Sequence, residues 1–106
     1  MKIALDNQVS KGAVNSLKSA GHDVVMLAGN LPDHVWHKKA IDAGAELFFS
    51  PDYDIENMTL NLGKSFVRLP QNLGGGELVD FVVRAANAAD KVKKIYKDFP
   101  GMIVFR

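Results

Sequence analysis

Short apolar, β-branched runs alternate with stretches whose apolar residues recur at three- and four-residue steps. This alternation restricts the chain to an α/β fold on a mostly parallel sheet. The first run, residues 2–5, stops at Asp6-Asn7, and Ser10 stands as a helix N-cap before Ala13, Val14, Leu17 and Ala20. Gly21 can end that helix in a left-handed conformation, and Asp23-Val24-Val25-Met26-Leu27 is a second strand. After Ala28-Gly29-Asn30-Leu31-Pro32, Asp33 is placed to cap a helix carrying Val35, Trp36, Ala40, Ile41 and Ala43, closed by Gly44. Residues 45–49 form a third strand. Ser50-Pro51-Asp52-Tyr53-Asp54 reads as a loop and 55–62 as a short helix, followed by a fourth strand over 65–69 that Pro70 stops. Asn72-Leu73-Gly74-Gly75-Gly76 is a flexible connection to the clearest helix, marked by Leu78, Phe81, Val82, Ala85, Ala89, Val92 and Tyr96. Pro100-Gly101 breaks it, and 102–105 reads as a last strand.

The expected architecture is therefore one domain over residues 1–106, a Rossmann-like three-layer α/β/α arrangement with about five strands. Thirteen Lys and Arg against twelve Asp and Glu leave a net charge of +1, which removes the electrostatic case for a general polyanion coat and confines any such site to a local patch. The absence of cysteine excludes a disulfide framework, a thiolate zinc site and a cysteine nucleophile, and it fits a reducing cytoplasm. The longest apolar stretches, such as residues 24–28, fall far short of the roughly 20 residues that cross a bilayer. The N-terminus, interrupted at Asp6, lacks the features of a secretory signal.

If the first strand is central, with the second on one side and the third on the other, the topological switch point falls between strands one and three. Asp6 and Asp52 then meet at the carboxyl ends of the strands. With Asp33 and Asp54 they can form an all-oxygen cluster suited to magnesium or manganese, while the plainer reading leaves them as turn and cap residues. Other motifs carry less. His34 and His37 lie three apart but without any zinc-type companion, and a solvated pair is the simpler reading. Trp36 shares a face with Ala40 and Ile41 and reads as a core anchor. Gly63-Lys64-Ser65 lacks the glycine that a phosphate-binding loop needs, since Met58 stands there. Lys91, Lys93, Lys94 and Lys97 suit the C-terminal dipole of the long helix better than an RNA patch. Ser16, Ser19 and Ser65 have no evident base partner for a hydrolytic triad. The apolar residues of the long helix can serve either the core or a homodimer face.

Several segments together resemble the small PIN-like proteins, short relatives of the PIN-domain nucleases and toxin ribonucleases. They are Leu5-Asp6-Asn7, Gly21-His22-Asp23-Val24-Val25, Asp33 with Trp36, Ala40 and Gly44, and Leu47-Phe48-Phe49-Ser50-Pro51-Asp52-Tyr53-Asp54. The likeness continues through Phe66-Val67-Arg68-Leu69 and Gly101-Met102-Ile103-Val104-Phe105-Arg106, so it covers nearly the whole chain. It implies an acidic pocket in which Asp6 matches the first-strand acid, Asp33 the acid opening the later helix, and Asp52 the acid of a Thr/Ser-x-Asp-x-Asp-Phe segment. Ser50 fills the hydroxyl position of that segment and Asp54 its second acid. In that family the pocket holds Mg2+ or Mn2+ for cleavage of single-stranded RNA, and many members are toxins held by an antitoxin protein. Small members commonly read Asp-Glu-Asn after the first strand where this chain reads Asp6-Asn7-Gln8, and Ile55 stands where Phe is expected.

The leading expectation is a metal-dependent endoribonuclease with Asp6, Asp33, Asp52 and Asp54 as direct or water-mediated ligands and Ser50 orienting a bound water. The alternative is a PIN-like module that binds RNA or a protein partner without cleaving. A third reading, a phosphate-accepting signalling domain, is weaker because no lysine follows a penultimate strand in the required role.

Overall fold

The computed structural model describes residues 1–6, 11–26 and 31–95. The elements are β1 (Lys2–Leu5), α1 (Lys11–Ser19), β2 (Asp23–Met26), α2 (Asp33–Asp42), β3 (Leu47–Ser50), α3 (Tyr53–Asn61), β4 (Ser65–Arg68) and α4 (Gly75–Ile95). The expected cap at Ser10, Asn7-Gln8, Leu27 at the end of the second strand, Ala28-Gly29-Asn30 of the connection after it, Tyr96, the Pro100-Gly101 break and the strand over 102–105 lie outside the described residues. The strands form one parallel sheet in the order β2-β1-β3-β4, four strands where the sequence suggests about five.

This order decides which helix covers which face. From β1 the chain moves outward in one direction to β2, then reverses across β1 to β3 and continues to β4. Because β-helix-β crossovers are right-handed, reversing direction puts the crossover helix on the opposite face. Accordingly α1 packs with α4 on one side, and α2 packs with α3 on the other. The reversal creates the switch point between β1 and β3.

Both sheet faces are covered, so the central strands are apolar on both sides. Their alternating side chains sort into two layers. Ile3, Leu5, Leu47, Phe49 and Val67 join Ala13, Val14 and Leu17 of α1 and Phe81, Val82, Ala85, Ala86 and Ala89 of α4. Ala4, Phe48 and Phe66 join Trp36 and Ala40 of α2 and Ile55 of α3. Each fully buried phenylalanine contributes roughly 1.5–3 kcal/mol relative to exposure. The apolar stripe of α4, open in the sequence between core and dimer face, is largely core: Phe81, Val82, Ala85 and Ala89 are buried.

Helix ends set the strand boundaries. Gly21 (φ +91°) and Gly44 (φ +89°) turn the chain out of α1 and α2 in the left-handed region, as the sequence indicates. The amide of Ala45 bonds back to the Ala40 carbonyl at 3.0 Å, so that residue closes α2 and β3 starts at Leu47 instead of residue 45. β3 in turn runs on through Ser50. The loop expected over 50–54 contracts to Pro51-Asp52 because Asp52 caps α3, which starts at Tyr53. Gly75 and Gly76 are likewise not a flexible connection but the first turn of α4.

Candidate metal centre at the carboxyl edge of the sheet

Asp6 follows β1 directly, and its amide donates to the Phe49 carbonyl at 3.0 Å, which extends the β1–β3 pairing into the crevice. Beside it, the fully buried Ser50 donates its hydroxyl to Asp6 Oδ2 at 3.0 Å and accepts from the Asp52 amide at 3.1 Å. Ser50 therefore positions one acid and fixes the backbone that presents the next. The expected role of orienting a bound water is corrected accordingly: the hydroxyl proton is committed to Asp6 and the side chain has no solvent exposure.

Asp52 has extended backbone (φ −90°, ψ 127°) and caps α3 by accepting from the Asp54 amide at 2.9 Å through Oδ1. Asp54 is in the first turn of α3. Asp33 corrects a sequence expectation, for it is not the cap of α2. Pro32 occupies that position without a side-chain hydrogen bond, and its carbonyl accepts from the Val35 and Trp36 amides at 2.9 and 3.1 Å. Asp33 is the first helical residue, and its carboxyl group is not consumed by capping.

One oxygen each from Asp33, Asp52 and Asp54 lies within 4.8 Å of the others. In an octahedral magnesium site with ligands at about 2.1 Å, opposite oxygens are about 4.2 Å apart; for calcium the span reaches about 5 Å. Only one pair of three ligands can be opposite, the others being about 3.0 Å apart on magnesium. The three carboxylates can thus share one hard cation by drawing closer together, or reach it through water. Asp6 is outside this group of three, yet its charge acts on it. The Asp33 carboxyl is held above the usual aspartate range, first by partial burial, then by a hydrogen bond with Asp52 that favours the protonated form, and then by the charges of Asp52, Asp54 and Asp6. Crowding of acids is the electrostatic condition that a divalent cation relieves, and an all-carboxylate donor set suits a hard ion.

A second cluster borders the acids. Arg68, the last residue of β4, pairs in register with Ser50 of β3 and so lies at the same edge. Its guanidinium carbon is 4.0 Å from the centroid of the Tyr53 ring, Nη1 donates to Tyr53 Oη at 3.1 Å, and Nη2 pairs with Glu56. Sequence reading passed over this cluster, because Arg68 reads as part of a strand and only strand register shows which residues it adjoins.

The histidine pair is also corrected. His34 is exposed, whereas His37 is buried against Trp36 and Phe48, with ring centroids 6.2 and 4.8 Å away. Its Nε2 lies 2.8 Å from Thr59 Oγ1, and that hydroxyl donates to the Ile55 carbonyl at 2.7 Å. Nε2 is therefore the donor, and burial lowers the pKa of the ring. Trp36 is the core anchor the sequence indicates. Of the basic helix end, Lys91 is exposed, and the side chains of Lys93, Lys94 and Lys97 lie outside the described residues. Among the described residues no helix is long and apolar enough to cross a membrane.

Comparison with protein-family models, with curated proteins and with solved structures finds no match to this chain.

Proposed function

We propose that this protein is a PIN-like, metal-dependent endoribonuclease that cleaves single-stranded RNA, with Mg2+ or Mn2+ at the acidic site. The observation that carries this reading is the convergence of Asp6, Asp33, Asp52 and Asp54, from three separate segments, at the switch point of a parallel sheet. In such sheets ligands bind outside the carboxyl ends of the strands. The oxygen-only donor set fits a hard cation and offers nothing to a soft one. When bound, such an ion stabilises charge on a phosphodiester and lowers the pKa of a coordinated water.

The chain's own residues have separable tasks. Ser50 holds the Asp6 carboxylate by its hydroxyl hydrogen bond. Asp52 is anchored by its cap bond and also hydrogen-bonds with Asp33, so one side chain links the start of α3 to the start of α2. Asp33 would offer its carboxylate to the cation, and its raised pKa reflects the like charges that a divalent ion would offset. The resemblance to toxin ribonucleases adds an antitoxin protein as a partner and the cytoplasm as the site of action.

The test is cleavage of a labelled single-stranded RNA by wild-type, Asp6→Asn and Asp52→Asn proteins, each with Mn2+, with Mg2+ and with EDTA. Expected are cleavage that requires the divalent ion and its loss in both variants. Cleavage that survives either substitution would overturn the assignment of the site. RNA binding that persists in EDTA with no cleavage at any metal concentration would favour the non-cleaving module.

A further inference from the structure

Tyr53 is 64% exposed, the largest exposure among the big apolar side chains described, and it stands between Asp52 and Asp54 in sequence. The ring is nonetheless held in place. Arg68 covers one face at 4.0 Å and donates to the hydroxyl at 3.1 Å, while Glu56 pairs with the guanidinium from the same helix that carries the tyrosine. The Arg68–Glu56 pair already ties β4 to α3, so the exposed ring is not needed for that connection. With Arg68 over the ring, Tyr53 still has 64% of its surface exposed.

We propose that Tyr53, braced by Arg68 and Glu56, is a stacking platform for the unpaired nucleobase adjoining the phosphate at the acidic site; the inference rests on the RNA-cleavage reading above. Two physical arguments favour a base over other occupants. A flat aromatic face held in one orientation loses little entropy when another plane settles on it, and every base presents such a plane. The charge of Arg68 is answered by Glu56, so the braced pair offers a surface more than a free cation, and the acids beside it repel an unscreened polyanion. A base can reach the ring only if it is unstacked from its neighbours, which selects single strands over duplexes.

The experiment measures fluorescence anisotropy of a labelled single-stranded RNA 12-mer and of its duplex, in Ca2+ to suppress turnover, followed by steady-state cleavage in Mn2+. Wild type, Tyr53→Ala and Tyr53→Phe are compared, with thermal melts as a folding control. Tyr53→Ala is expected to weaken single-strand binding about tenfold or more and to raise KM with little change in kcat, while leaving the weaker duplex binding unaltered. Tyr53→Phe keeps the ring and is expected to bind within about twofold of wild type. Wild-type binding and cleavage with an indifferent Tyr53→Ala would overturn the platform alone. A wild type that neither binds nor cleaves RNA would overturn the functional reading and the platform with it.

Discussion

The two layers flanking the sheet are built from different material. The α1–α4 layer is chiefly aliphatic and small, with Ala13, Leu17, Val82, Ala85 and Ala89 closing over Ile3 and Leu5. The α2–α3 layer stacks Trp36, His37 and Phe48 and encloses the His37–Thr59 hydrogen bond. The N-termini differ too: α2 and α3 begin with Asp33 and with Asp54 and Glu56, all of which belong to or adjoin the acidic cluster, whereas the first turn of α1 has no acid and that of α4 has Glu77, outside the cluster. Both helices that bear the cluster lie on one face because both crossovers that produce them run in the same direction across the sheet. One layer is mainly filling, and the other sets the orientation of two helix ends that bear the clustered acids.

That contrast breaks first at the acids. Changing a group that merely supports a metal ligand costs about 10–100-fold in affinity or activity, so Asp52→Asn is expected to lower cleavage by more than about a hundredfold. The melting temperature of the variant should stay within a few degrees of wild type. Single-turnover assays beside thermal melts check both halves.

Core truncation separates the layers next. Leu17→Ala is expected to destabilise by about 2–5 kcal/mol and Phe48→Ala by about 3–5 kcal/mol in urea titrations. Divalent affinity of the folded fraction should be unchanged in the first and weakened in the second, because Phe48 supports α2 through Trp36 and His37. Equal effects on metal affinity would erase the distinction between the layers.

The pH response sharpens it further. The folded pKa of His37 is lowered, so between that value and the ordinary 6.5 the unfolded chain binds the proton first. The stability tied to its neutral ring is full above about pH 6.5 and is lost as pH falls through the folded value, with a slope of at most about 1.4 kcal/mol per pH unit. Asp33 acts with the opposite sign: its folded pKa is raised above 3.8, so its contribution is full below that value and is lost as pH rises through the raised value. Urea titrations from pH 7.5 to 4 should show the histidine decline, and His37→Gln should remove it.

The smallest effect concerns the metal-free protein. Asp33→Asn relieves like-charge crowding and is expected to raise stability by up to about 0.5 kcal/mol at neutral pH, the scale of an ordinary surface change. The same substitution should weaken divalent binding. Destabilisation in EDTA would show that Asp33 is a structural residue after all.

Much of this was legible in residue order. Val24, Val25 and Met26 between Gly21 and the 27–30 segment mark a strand, and Leu47, Phe48 and Phe49 after Gly44 mark another; the central place of β1 and the meeting of Asp6 with Asp52 follow from α/β topology. Local capping was not legible. Asp33 is a better cap by propensity than Pro32, yet proline's fixed φ suits the entry to α2 and leaves the aspartate to the crevice. Burial of His37 was hidden as well, because its spacing from His34 suggests a shared exposed face while Thr59, on another helix, supplies the hydrogen bond. The contacts of Arg68 depend on strand register, which short apolar runs do not specify.

The most direct test of the account is calorimetric titration of Mn2+ and Mg2+ into metal-free wild type and Asp33→Asn at pH 5.5 and pH 7.5. One divalent site is expected in wild type at both pH values, and binding at least tenfold weaker in the variant. Heat signals that are absent from wild type, or identical in the two proteins, would contradict the claim that these acids converge to hold a cation.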